Sequence, residues 1–341
     1  MPSMNHSFGQ AAVMDASLVS DAVTWASLHG LVVAAPAADG ASALIHAPLA
    51  LRPSPFPRAV FERATALATV LNHLMTSVAA DRPFLREAVA SAGAHDAFTA
   101  DLVALMAEVD AAKASGAAAR DAAEIAVLRA DYMLDAPTGR LLQVETNTIA
   151  ASFVALTTLV SDLHRGLARR HGVRYLVPGR SDALPENAAL SRVVEALGTA
   201  SSGYGRAKGW ADGVADYDNA SAGAARPVLL MVVQPGEFNA FDQEWISECL
   251  RESGGPNTVR ATLAEVAAHG SVTADGGLTF NGHRVGCVYF RAGYTPDDYP
   301  TEVEWAGRRI MEMSDVPKCP TVALQARGSF GFCQGVIAAR A

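Results

Sequence analysis

Residues 227–233, Pro-Val-Leu-Leu-Met-Val-Val, are apolar without interruption. A strand with one wet face alternates apolar and polar side chains, so an unbroken run predicts a strand buried on both faces, as in a parallel sheet covered by helices. The flanking pattern agrees. A helix is predicted through Leu250, a strand over residues 258–261, a short helix over 263–268 and a strand over 285–290 that follows the hairpin signal Asn281-Gly282. This alternation predicts a small doubly wound α/β unit, whose ligands bind at the carboxyl ends of strands. Two polar clusters fall at such ends: Glu237, Asn239 and Gln243 after the first strand, and Arg291 and Tyr294 after the last.

The first half of the chain reads differently. A helix is predicted over residues 13–28, a short strand over 31–34, and three scaffold helices over 59–80, 83–92 and 97–114, the first entered through the proline-rich stretch 47–57. A strand over 125–134 and a turn over 135–139 lead into Leu141-Leu142-Gln143-Val144-Glu145-Thr146-Asn147. Side chains two apart on a strand share a face, which puts Gln143, Glu145 and Asn147 together and Val144, Thr146 and Thr148 opposite. Glu145 and Asn147 then lie about 6–7 Å apart by strand rise. A carboxylate and an amide oxygen at that spacing suit one magnesium ion, which keeps water and phosphate oxygens in its shell; the same pattern equally describes the exposed face of an edge strand. A five-residue turn places Leu134 opposite Arg140, Arg129 opposite Glu145 and Asp131 opposite Gln143. Helices over 152–170 and 188–200, with a turn at 178–182, follow. The glycine- and alanine-rich stretch 211–226 is the best candidate for a domain boundary.

Composition narrows the function classes. With 341 residues the chain is long enough for two domains, and a net charge of -8 argues against nucleic acid as its main partner. Cys249, Cys287, Cys319 and Cys333 are widely spaced without a C-x-x-C pair, which favours free thiols in a reducing compartment over zinc or redox pairs. The opening residues fit neither a secretory signal nor a transit peptide, and no apolar run approaches the ~20 residues a membrane span needs. A cytoplasmic protein without a membrane partner is the expectation.

Six stretches in order carry a resemblance: A-P-L-A-L-R-P-S-P-F-P from Ala47, R-A-D-Y-M from Arg129, Q-V-E-T-N-T-I-A-A-S-F from Gln143, E-F-N-A-F-D-Q from Glu237, V-Y-F-R-A-G-Y from Val288 and K-C-P from Lys318. Together they resemble the eukaryotic-type glutathione synthetases, an ATP-grasp ligase family. The resemblance implies an α/β (α+β overall) fold: an incomplete ATP-grasp domain with an inserted small parallel α/β substrate-binding domain. It divides the chain into residues 1–222, 223–326 and an unrelated tail, 327–341. It implies ATP-dependent ligation of γ-glutamylcysteine to glycine through an acyl phosphate. Glu145 and Asn147 would hold magnesium, with Glu145 also near ATP. Arg129, Ile149, Ala150, Ala151, Ser152, Glu237, Phe238, Asn239, Gln243, Arg291, Ala292, Gly293 and Tyr294 would line the dipeptide site. A homodimer is a further implication.

Departures from the family pattern qualify this. Ala150 stands where the family usually has serine, Val154 and Ala155 where it has a glycine pair, and Ala292 where it has aspartate. The resemblance stops after Gln325, and the family's glycine-rich loop, a further magnesium carboxylate and most of the ATP cradle would lie beyond that point. The alternative is a non-catalytic relic that binds dipeptide or pairs with an intact subunit.

Overall fold

The computed structural model describes residues 16–36, 42–93, 96–118, 123–172, 184–210, 226–237 and 239–328. The turn expected at 178–182, most of the expected boundary stretch, Phe238 and the tail beyond residue 328 lie outside them. In chain order the first elements are α1 (Ala16–Leu28), β1 (Val32–Pro36), β2 (Ser42–His46), α2 (Arg58–Ala80), α3 (Arg82–Gly93), α4 (Ala97–Ser115), β3 (Arg129–Leu134), β4 (Leu141–Asn147), α5 (Val154–His171) and α6 (Ala189–Ala207). There follow β5 (Val228–Val232), α7 (Ala240–Glu252), β6 (Thr258–Ala261), α8 (Leu263–His269), β7 (Gly270–Val272), β8 (Leu278–Phe280), β9 (His283–Phe290), α9 (Glu302–Met313), β10 (Lys318–Cys319) and α10 (Val322–Arg327).

By contacts the chain forms two compact units. The first takes Met1–Pro55, Ala155–Ala189 and Phe238–Gln243. In it α1 leads through the buried Leu31 into an antiparallel β1–β2 hairpin, and the end of α5 returns to α1, where Asp21 accepts from His171 Nε2 at 2.9 Å. The second unit holds the rest, including all of the remaining sheets.

The uninterrupted apolar run forms β5, in which every residue is buried. Alternate side chains face opposite ways. Val228, Leu230 and Val232 join Leu263 and Val266 of α8 and Met311 of α9; Leu229 and Met231 join Val193, Val194 and Leu197 of α6 and Ile246 and Leu250 of α7. Helices thus cover both faces, as the sequence required. The sheet order is β6-β5-β9-β8-β7, with β10 also pairing β9; β6, β5, β9 and β10 are parallel, and β7, β8 and β9 are antiparallel. Asn281 (φ 48°) and Gly282 (φ 80°) make the expected tight turn between β8 and β9. Gly286 is the extra residue where the β5–β9 register shifts, and a Cβ there would stand 2.2 Å from Ser201 Oγ, so only glycine lets α6 lie this close.

The three scaffold helices lie where periodicity puts them. Leu85, Val89, Leu102, Leu105, Met106 and Val109 of α3 and α4 form a further core with Val78 of α2 and Val322 and Ala323 of α10. Asp96 caps α4 by accepting from Phe98 N and Thr99 N, and Gly116 closes it in the left-handed conformation (φ 76°). Of the thiols, burial pushes Cys319 up to about 12 and Cys287 up as well, so both behave as apolar filling.

Two expectations are corrected here. The strand expected over 125–134 begins only at Arg129, because Ile125 and Val127 pack against the α/β core instead of pairing with β4. The β3–β4 register places Leu134 opposite Leu141, not Arg140, Arg129 opposite Asn147, not Glu145, and Asp131 opposite Glu145, not Gln143. Tyr132 faces Gln143, so Val144 is an extra, unpaired residue, a β-bulge. The bulge breaks the alternation, and Gln143 Nε2 donates to Thr146 Oγ1 (2.7 Å) instead of lying beside Glu145.

Candidate functional site

Beyond the bulge Glu145 and Asn147 do share one face, as expected: Asn147 Nδ2 donates to Glu145 Oε1 at 2.9 Å, and both side chains are half-buried. Arg129, exposed, forms a two-pronged pair with Asp131 in its own strand, Nε to Oδ1 at 3.1 Å and Nη2 to Oδ2 at 3.2 Å. This end of the β3–β4 ribbon therefore gathers two carboxylates, one guanidinium and one amide. The donor set of Glu145 and Asn147, one carboxylate and one amide oxygen, fits magnesium and suits no soft metal. Among the described residues no three His, Cys, Asp or Glu side chains converge as a metal cage. A magnesium ion here would draw its other ligands from water and phosphate.

The chain then turns sharply. Ala150 (φ 49°) and Phe153 (φ 65°) both adopt left-handed backbone, the latter a bulky residue half exposed in a conformation that costs about 1–2 kcal/mol. Ser152 Oγ bonds back to Ala150 O (3.1 Å) and accepts from Arg291 Nη2 (3.1 Å). Ile149 packs against the core that β5 and β9 form with α8 and α9. Residues 149–152 are thereby fixed to the carboxyl end of the parallel sheet, although β4 belongs to a different ribbon.

At that end β5 and β9 run side by side. Arg291 follows β9 immediately; its N–H donates to Val232 O (2.8 Å), and its side chain is buried, 3% exposed. Ala292 is buried, Gly293 has φ 90°, and a Cβ on Gly293 would meet Tyr299 Oη at 2.8 Å. Burial first, and the Asp298 carboxylate next, raise the Tyr294 hydroxyl above its ordinary range, and the Glu237 charge acts in the same direction. Tyr294 is thus a neutral hydrogen-bonding group near Glu237. The structure thus links residues 149–152 to residues 291–294 through the Arg291–Ser152 bond, with Glu237 near Tyr294. Two cavities of about 520 and 550 Å³ beside α6 are lined by none of these, so the candidate site is an edge of loops.

Asn239, half-buried, and Gln243, fully buried, belong to the first unit, and Phe238 lies outside the described residues. Between them Asp242, with no exposed surface, accepts from Ala155 N (2.9 Å) and Leu156 N (3.3 Å), two of the orphan donors at the start of α5. Asp242→Ala is expected to cost roughly 2–3 kcal/mol, because both donors would stay buried without this acceptor. The shift of the urea midpoint at constant slope measures it, and Asp242→Asn, which keeps an oxygen, should lose less.

Sequence reasoning missed Gln234, Asp298, Tyr299 and Gln325, which hold the loop after β9 rather than line it. Gln325 Nε2 donates to Gly293 O at 2.5 Å, and Tyr299 Oη to the same oxygen at 3.4 Å. A signal existed for Asp298: Thr295-Pro296-Asp297-Asp298 has the spacing of a capping box.

A family model described as eukaryotic glutathione synthase, ATP binding domain, matches residues 13–287. The chain belongs to the eukaryotic glutathione synthase family. Among glutathione synthase relatives, the chloroplastic glutathione synthetase of Arabidopsis thaliana is 37% identical over 317 residues, 92% of this chain and 54% of its own length. Glutathione synthetase of Bos taurus is 30% identical over 316 residues, 92% of this chain and 60% of that protein. The chain thus spans a little over half the length of these relatives. In fold it is similar to the apo structure of a glutathione synthetase-like effector from Globodera pallida, with TM-score 0.67 at 21% identity over 93% of this chain and 64% of that one. The mixed α/β architecture agrees with part of an ATP-grasp ligase. No helix among the described residues is long and apolar enough to cross a membrane.

Proposed function

We propose that this chain takes part in the ATP-dependent ligation of γ-glutamylcysteine to glycine, giving glutathione through an acyl phosphate of the dipeptide. The observation that carries the reading is the bond between Arg291 and Ser152, which joins two motifs 139 residues apart at one loop edge. A dipeptide with two carboxylates and an ammonium group needs a guanidinium fork and acidic or amide acceptors. Arg291 supplies the fork, and Glu237 and Tyr294 the polar partners. Ile149, Ala150, Ala151 and Ser152 would line the same loop edge, with Ala292 and Gly293; Arg129, Phe238, Asn239 and Gln243 complete the proposed set.

Glu145 and Asn147 would hold magnesium, which, when bound, neutralises phosphate charge during transfer. Glu145 would also lie near ATP. The chain's own residues orient the dipeptide carboxylate toward the nucleotide and keep the glycine amine aligned behind it, a reaction driven by positioning more than by a protein nucleophile. We assign residues 223–326, which contain the large sheet, as the substrate-binding domain, residues 1–222 as the ATP-grasp part, and residues 327–341 as a tail outside both. The cytoplasm and a homodimer belong to the same proposal.

The test is an assay with ATP, magnesium, γ-glutamylcysteine and glycine. ADP release that requires both the dipeptide and glycine is the expected result. ADP formation independent of the dipeptide, or none with all components present, counts against ligase activity in this chain.

A further inference from the structure

The geometry points to Asp298 as a positioning residue that presets the loop after β9 and locks it to the loop after β5. It deepens the dipeptide reading and rests on it. Asp298 closes the short 3-10 turn Pro296–Asp298 and is 8% exposed. Its Oδ2 accepts from three consecutive backbone groups, Gly293 N (2.9 Å), Tyr294 N (3.0 Å) and Thr295 N (3.3 Å). Its Oδ1 accepts from Gln234 Nε2 at 2.8 Å. Gln234 stands just after β5, three positions before Glu237.

One carboxylate thus ties together the two loops that contain Arg291, Tyr294 and Glu237. Only an acceptor with two oxygens serves all four donors, since an asparagine would turn an NH₂ group toward one set of them. The other side of the loop is held too. Gly293 O receives Gln325 and Tyr299, and the left-handed Gly293 has no room for a side chain. With the N–H groups of residues 293–295 directed to Asp298, recognition by this loop falls to its side chains. Asp298 touches the loops and acts through them.

Isothermal titration of the full chain with γ-glutamylcysteine tests this, using wild type, Asp298→Asn and Gln234→Leu. Asp298→Asn is expected to weaken dipeptide binding roughly 10- to 100-fold, the range for a misplaced binding group, while the thermal midpoint stays near that of wild type. Amide exchange should speed up at residues 293–295 and stay unchanged in β5 and β9. Gln234→Leu, which removes the bridge and leaves the three backbone bonds, should weaken binding less, and it carries the test if Asp298→Asn does not fold. Equal affinity in wild type and a folded Asp298→Asn, or in wild type and Gln234→Leu, overturns the inference. Wild type that binds no dipeptide overturns the underlying reading instead, a separate result.

Discussion

Glu312→Gln is expected to remove about 3–5 kcal/mol of folding stability, the cost of leaving a buried charge without its partner. Glu312 and Arg308 are 1% and 0% exposed, one helical turn apart on α9. The Glu312 Oε1 accepts from Arg308 Nε (3.0 Å) and the backbone N–H of Val322 (3.0 Å), and Arg308 Nη2 lies 2.9 Å away as an ion pair. The guanidinium also lies 3.9 Å from the centre of the Phe290 ring, which adds a cation–π contact. Glutamine is neutral, so the arginine charge loses its counterion while it stays walled in. The consequence reaches beyond α9, because the Val322 N–H opens α10, and α10 carries Gln325 to Gly293 O. Urea unfolding should show the loss as a lower midpoint. The pair Arg308→Met with Glu312→Leu should lose less than Glu312→Gln alone, since no charge then stays buried. A cost below about 1 kcal/mol for the single variant would contradict the view that Glu312 is the counterion.

The same pair explains why α9 was hard to read from sequence. Its buried stripe contains Arg308 and Glu312 beside Gly307 and Met311, so charges occupy core positions. By contrast, α2, α3 and α4 were legible because apolar residues recur at helical spacing, and β5 because nothing polar interrupts it. The facing of Glu145 and Asn147 was legible for the same reason of strict local geometry. Register was not. Met133, Leu142 and Val144 are apolar yet exposed, so the apolar residues of the β3–β4 ribbon are not confined to its covered face, and little in the pattern resists the slip that the bulge at Val144 introduces. The strands β7, β8 and β10, of three, three and two residues, are too short to show a period. At the candidate site, residues that would face a ligand were visible as motifs. The residues that hold those motifs in place bond to backbone, which leaves a weaker mark, and only the Thr295–Asp298 spacing hinted at them.

Arg291→Lys is expected to weaken γ-glutamylcysteine binding about 30- to 100-fold, roughly 2–3 kcal/mol. The position is rigid: the Arg291 N–H is fixed to Val232 O at 2.8 Å, the side chain is 3% exposed, and Nη2 is committed to Ser152 Oγ at 3.1 Å. A guanidinium offers five N–H groups in a plane, so it can keep Ser152 and still present a fork to a substrate carboxylate. A lysine ammonium carries the same charge on a flexible stem and cannot match both partners in one plane. Charge alone would therefore predict little change, whereas a planar fork predicts a large one. Ser152→Ala separates the two contributions: it removes one hydrogen bond to the fork and should cost only about 0.5–1.5 kcal/mol. The expected order of affinities is wild type, then Ser152→Ala, then Arg291→Lys. Calorimetric titration of the three chains reads that order directly, and an Arg291→Lys chain binding as tightly as wild type would remove Arg291 from the dipeptide site.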